Sequence, residues 1–202
     1  MRLYRIGGLI MALCFTWLAP GRARAEGKGL PPKTAGEVKA KDDEKPECRI
    51  RMAYGRREFQ DVEVKKKKIL GAQFNLTREG NVLFGFVLSK ATRLKINKDG
   101  ITGSFAEMDI SLTIKEEGPR TKIFGLLNEH RLTIVLSDSK VEVNTFNSHL
   151  GLGLSRGNRL KGQIGSGANI SGASLVTFGC DLEYIRERPG LALVIFLWWM
   201  VE

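Results

Sequence analysis

The sequence predicts an all-β fold: an antiparallel sandwich, barrel or folded-over meander of roughly ten or more short strands. Three observations carry that reading. Apolar residues alternate with polar ones after residue 48, turn residues recur about every ten positions, and no amphipathic helix precedes residue 180.

Along the chain, the first element reads as a targeting segment. Arg2 and Arg5 are basic, and residues 6–18 are apolar apart from two Gly and one Thr. Pro20-Gly21 breaks the stretch, and Ala23 and Ala25 stand at the two positions that a signal peptidase reads. Residues 1–25 are therefore expected to be a cleaved signal peptide, and the protein to be exported (periplasmic, cell-surface or secreted). Leu13 before Cys14 does not suit lipoprotein processing. No uninterrupted apolar run reaches the ~18 residues of a spanning helix, so no mature transmembrane helix is expected.

Residues 26–47 read as a disordered charged linker. They hold five Lys, six acids, three Pro and three Gly, with only Leu30 and Val38 as sizeable apolar groups. Such a segment cannot bury enough surface to offset its ordering entropy. Residues 48–202 are expected to form a single all-β domain.

Within that domain the period is two. Asp109-Ile110-Ser111-Leu112-Thr113-Ile114 and His149-Leu150-Gly151-Leu152-Gly153-Leu154 alternate strictly, and Arg131-Leu132-Thr133-Ile134-Val135-Leu136 does so with one exception. Val62 and Val64, Leu94 and Ile96, and Val141 and Val143 repeat the pattern, each pair marking one buried face of a strand. Turn residues separate these runs at 78–81, 98–100, 117–119, 137–139 and 156–158. Asp99-Gly100 suits a tight hairpin turn, because both residues tolerate positive φ. Eight Gly between 151 and 179 suggest curvature or close backbone approach. A faint echo pairs Arg93-Leu94-Lys95 and Ile101-Thr102-Gly103 with Arg159-Leu160-Lys161 and Ile170-Ser171-Gly172.

The last segment, residues 191–201, is eleven apolar residues in a row after Pro189-Gly190. As a central strand it would pair back onto residues 174–184; as a short helix it would plug one end of a sheet. Exposed, Leu197, Trp198, Trp199 and Met200 would form an interaction patch for a membrane surface or a partner. Core placement is the first reading and the patch the second.

Charge and cysteines narrow the function. The chain carries 32 Lys+Arg against 22 Asp+Glu, a net +10, of which Arg2, Arg5, Arg22 and Arg24 belong to the leader, leaving +6. Nucleic acid is therefore not expected as a partner. Lys65-Lys66-Lys67-Lys68 is the one basic run left, read first as a solvated or edge-protecting cluster and second as a site for an anionic partner. After cleavage only Cys48 and Cys180 remain, and an oxidising compartment favours their disulfide over a reactive thiol. Closing so long a loop is worth about 4–5 kcal/mol in the chain-entropy model.

No catalytic, cofactor-binding or metal constellation assembles in the sequence. Gly153-Leu154-Ser155-Arg156-Gly157 matches the G-x-S-x-G nucleophile elbow, but no helix pattern follows it, and His130 and His149 both precede the serine. These two imidazoles have no metal-ligand spacing. The sequence thus points to an exported non-enzymatic β-domain with a binding or structural role at the cell envelope or outside the cell, its partner a protein or an envelope surface. The alternative is a carrier of a lipid or other hydrophobic ligand. A small outer-membrane barrel and a hydrolase come after these.

Overall fold

A computed structural model describes residues 44–55 and 59–201, with the backbone alone at 201. The expected signal peptide and almost all of the expected linker lie outside the described residues. Fourteen strands follow in chain order. The first seven are β1 (Cys48–Tyr54), β2 (Gln60–Val64), β3 (Lys68–Gly71), β4 (Phe74–Glu79), β5 (Val82–Val87), β6 (Lys90–Asn97) and β7 (Gly100–Phe105). The second seven are β8 (Met108–Glu117), β9 (Arg120–Leu127), β10 (His130–Leu136), β11 (Lys140–Asn144), β12 (His149–Leu154), β13 (Arg159–Ser166) and β14 (Asn169–Phe178). Two helices end the chain, α1 (Leu182–Arg186) and α2 (Pro189–Val201).

The fold is all-β, and of the three expected architectures it is the barrel. Each strand pairs antiparallel with its sequence neighbour, and β1 pairs with β14 to close the ring. An antiparallel meander sends alternate turns to alternate ends. The near end holds Cys48, where β1 starts, and the turns after β2, β4, β6, β8, β10 and β12. The far end holds the turns between.

Alternation sorts side chains to the two faces. Ile50, Met52, Val62, Leu76, Leu94, Ile101, Leu132 and Ile134 face inward and are buried. The outer wall is mixed: Arg49 pairs with Glu63 and Arg51 with Asp61, each opposite its partner on β1 and β2, while Phe86, Leu126, Ile170 and Phe178 are exposed on other strands. The Arg51 guanidinium holds the Asp61 carboxyl below its ordinary range.

Helix α2 lies in the lumen. Every residue from Leu191 through Trp199 is at most 5% exposed, so the helix is surrounded on all sides. At ~1.5 Å per residue it is about 20 Å long, enough to run from one end of the barrel to the other. Its first turn lies beside the near-end lysine turn, whereas the Trp198 indole N–H donates to Gln73 in the far-end turn after β3. Of the strand and the short helix weighed for residues 191–201, the segment is the helix, and the partners of β14 are β1 and β13 rather than that segment.

Other local expectations shift in a similar way. The turn near Asp99-Gly100 is present, but Lys98 and Asp99 form it without positive φ, and Gly100 already belongs to β7. The echo between 93–103 and 159–172 aligns strands that run in opposite directions. The repeat the barrel uses is apolar-x-Gly-x-apolar, at Leu83-Phe84-Gly85-Phe86-Val87, Ile101-Thr102-Gly103-Ser104-Phe105, Ile123-Phe124-Gly125-Leu126-Leu127 and Leu160-Lys161-Gly162-Gln163-Ile164. Its glycine sits opposite Leu76, Leu94, Leu112 or Leu152 on the preceding partner strand. These are points of close backbone approach where the sheet bends. At Gly85, φ is +140° and an added Cβ would stand 2.0 Å from the Asn75 carbonyl oxygen.

Gly85→Ala is therefore expected to cost about 2–3 kcal/mol in chemical denaturation, since both the backbone and the neighbouring strand resist the methyl group. Gly153, with open space around its Cβ position and no positive φ, serves as the contrast. Gly153→Ala should change stability by less than about 1 kcal/mol. Equal losses at the two sites would sink the bending role assigned to the repeat.

Candidate functional site

A barrel of this kind can act through its lumen, its wall or its ends. The lumen is occupied by the chain's own α2. Leu197, Trp198 and Trp199 are buried there, and Met200 is partly buried at the far end. Trp198 packs on Phe74 at 6.1 Å between ring centroids, and Trp199 on Phe196 at 6.1 Å. The Trp199 indole N–H is buried without a partner among the described residues.

The near end is latched by α1. Asp181 caps this short helix, accepting from the Tyr184 amide at 2.9 Å. Cys180 precedes it and is bonded to Cys48 across a Cα–Cα distance of 5.3 Å, an ordinary disulfide spacing. The Cys180 carbonyl accepts from Thr177 at 2.8 Å and from Asn158 at 3.2 Å. Arg186 reaches across the mouth: it donates to the Pro119 carbonyl at 2.7 Å, to Glu183 at 2.9 Å and to Asp138. The Tyr184 hydroxyl donates to Glu47 at 2.8 Å. These bonds tie α1 to three separate parts of the rim.

Beside the latch lies a cavity of about 120 Å³. Its rim carries Lys65, Lys66, Lys67, Lys68, Arg78 and Arg188, and only two acids, Glu47 and Glu187. Its floor is apolar, with Val64, Ile69, Leu83 and Leu191 all buried. The lysine turn is shaped by its own backbone: the Lys65 amide donates to the Lys68 carbonyl at 2.8 Å, and the Arg78 amide to the Lys67 carbonyl at 2.7 Å. Arg188 stacks on the Tyr184 ring at 3.7 Å. On the other side of α1, Asp138, Asp181 and Glu183 line a second cavity, so the mouth is basic on one side and acidic on the other.

The basic run was legible in the sequence, but its position was not. The edge-protecting role expected for it has no edge to protect, because every described strand is paired on both sides. Arg78 and Arg188 gave no signal at all, being distant in sequence from the run they join.

The residues tested for nucleophilic chemistry do not come together. Ser155 follows β12 at the near end, and its amide donates to the Arg159 carbonyl at 2.7 Å. His149 begins the same strand at the far end, where Asn144 Oδ1 lies 2.7 Å from its Nδ1. His130 begins β10 at the far end and stacks on Phe146 at 5.3 Å. The length of a six-residue strand, about 17–20 Å, separates the serine from either imidazole. Among the described residues, no three His, Cys, Asp or Glu side chains cluster as metal ligands would.

Two outcomes test this description of the mouth and lumen. Trp198→Ala removes a ring that is 2% exposed and should cost about 3–5 kcal/mol by thermal or chemical unfolding. A loss under about 1 kcal/mol would show that α2 is not packed in the lumen. Burial and the Glu47 hydrogen bond push the Tyr184 hydroxyl up to about 12. An acid with a raised folded value contributes fully below its unfolded value, near 10, and loses that contribution as pH rises towards 12. Stability should therefore fall over that window in the native chain, and Tyr184→Phe should flatten the fall.

No protein-family model, curated protein or solved structure matches the chain.

Proposed function

We propose that the chain is an exported, non-enzymatic β-domain with a binding or structural role at the cell envelope or outside the cell. The observation that carries this reading is the filled lumen. A carrier of lipid needs an apolar cavity that a ligand can occupy, and α2 occupies it. Removing α2 would expose side chains from Leu191 through Trp199, each large one worth about 1.5–3 kcal/mol of burial. The Cys48–Cys180 bond, suited to an oxidising compartment, supports export.

The remaining readings have less support. A lipid-embedded barrel presents an apolar band outward. Here Arg49, Arg51, Arg93, Lys95 and Lys115 face outward and are exposed. A hydrolase reading needs Ser155 and an imidazole at one end of the barrel. With the lumen filled and the edges of every described strand paired, binding falls to the ends and to the outer surface.

Native and denaturing mass spectrometry of protein exported by its own host tests the proposal, with alkylation before and after reduction. The expected result is a disulfide-closed chain beginning after Ala25 and carrying nothing in its lumen. A stoichiometric apolar ligand whose removal shifts the emission of Trp198 and Trp199 would replace this reading with the carrier.

A further inference from the structure

We propose that a cleft on the far-end wall, between the β11–β12 loop and the β13–β14 turn, binds a sugar residue of a neutral glycan. The inference rests on the binding role proposed above and names the ligand chemistry that role would use.

The cleft has a volume of about 340 Å³, within the range of small-molecule sites. Register builds its floor: Asn144, His149, Gly165 and Ile170 stand opposite one another in a row across β11, β12, β13 and β14. In the next row Gln163 stands between Gly151 and Gly172, so neither residue facing it carries a side chain. Two hydrogen bonds fix the loop beside this floor. The Thr145 amide donates to the Ser148 carbonyl at 2.9 Å, and the Ser148 amide donates to Thr145 Oγ1 at 3.1 Å.

The lining narrows the ligand. In a chain of which 27% is charged, no Lys, Arg, Asp or Glu lines this cleft among the described residues, so an ion would find no counter-charge. Its polar groups are neutral: the side chains of Asn147, Ser148 and Gln163, beside His149, whose Nδ1 lies 2.7 Å from Asn144 Oδ1. Amides and hydroxyls both donate and accept, as adjacent sugar hydroxyls require. A wholly apolar ligand would strip water from these groups and return no hydrogen bond.

Apolar surface completes the match. Phe146 and Ile170, at 74% and 65%, are the two most exposed large hydrophobic residues among the described ones, and both line this cleft. His130 stacks on one face of Phe146 at 23° between planes, which steadies the ring and leaves its other face open. A pyranose carries hydroxyls around its edge and C–H groups on its faces, so it can meet the amides and the aromatic ring at once.

The test uses the full exported chain. Binding is read on an array of neutral and acidic glycans. NMR titration follows with maltotriose, with the trisaccharide of N-acetylglucosamine and with any neutral glycan the array retains. Phe146→Ala and Gln163→Ala remove the ring and the amide, and Phe86→Ala removes an exposed ring seven strands round the barrel. Saturable binding of neutral glycan is expected, with resonance shifts at residues 144–149 and 163–170. Either cleft variant should weaken it on the order of tenfold or more, and Phe86→Ala should not.

If Phe146→Ala does not fold, Phe146→Leu takes its place, keeping apolar bulk without the flat face. No binding of any neutral glycan overturns the proposal, as does a preference for acidic glycans or an equal loss in Phe86→Ala. None of these results touches the mass-spectrometric test of the envelope role. A ligand found in the lumen would in turn leave glycan binding at the cleft standing, so the two readings can fail separately.

Discussion

The rest of the structure depends on the need to fill an apolar lumen. An eight-stranded barrel can be packed by its own inward side chains, but diameter grows with strand number, and much wider barrels enclose a channel. Fourteen strands lined with Ile, Leu and Val would leave a dry void unless something apolar took the axis. A helix about 10–12 Å across with its side chains is of the right kind, and α2 is apolar around its whole circumference. Barrel and helix are each unsuited to water alone. The lumen supplies the helix with an apolar surround, and the helix supplies the lumen with contents.

That arrangement explains why the two ends differ. The chain passes from wall to axis at the near end, so the disulfide, α1 and the Arg186 bonds gather there. The near-end turns include Gly80, Gly118-Pro119 and Gly157, residues that favour turns by themselves. The far end closes several hairpins with pairs in which only Asn128 has such a preference. Leu88-Ser89, Ala106-Glu107 and Asn128-Glu129 all take positive φ at both positions, as type I′ turns require. Most of these residues avoid that region when free, so strand pairing and the twist of the sheet must hold them there.

The same difference sets how much was legible in the sequence. All five turns marked by their residue types lie at the near end, and the alternating runs mark the strands between them. Far-end turns such as Ala106-Glu107 carry no local signal, because their conformation is imposed by the strands they join. The apolar-x-Gly-x-apolar repeat is present in the sequence, but its meaning lies in a neighbour's carbonyl, as at Gly85 and Asn75. The tail posed a different problem. Eleven apolar residues have neither a period of two nor one of 3.6, so helix and strand read alike. What decides between them is the space available: the wall is already closed by β1 on β14, and only the axis is left.

Closure also limits where function can reside. Each strand has both its backbone edges paired, so no partner can add a strand to the wall. On the wall, Arg51 and Asp61 satisfy one another, as do Arg49 and Glu63. The lumen has its occupant. At the far end, His130 is stacked on Phe146 and His149 is bonded to Asn144. At the near end, a cavity with an apolar floor lies beside the lysine turn. It is also where the disulfide, the latch and the first turn of α2 meet. The feature that makes the fold possible, a helix passing from wall to axis, thus also brings the disulfide, the latch and the lysine turn together at one mouth of the barrel.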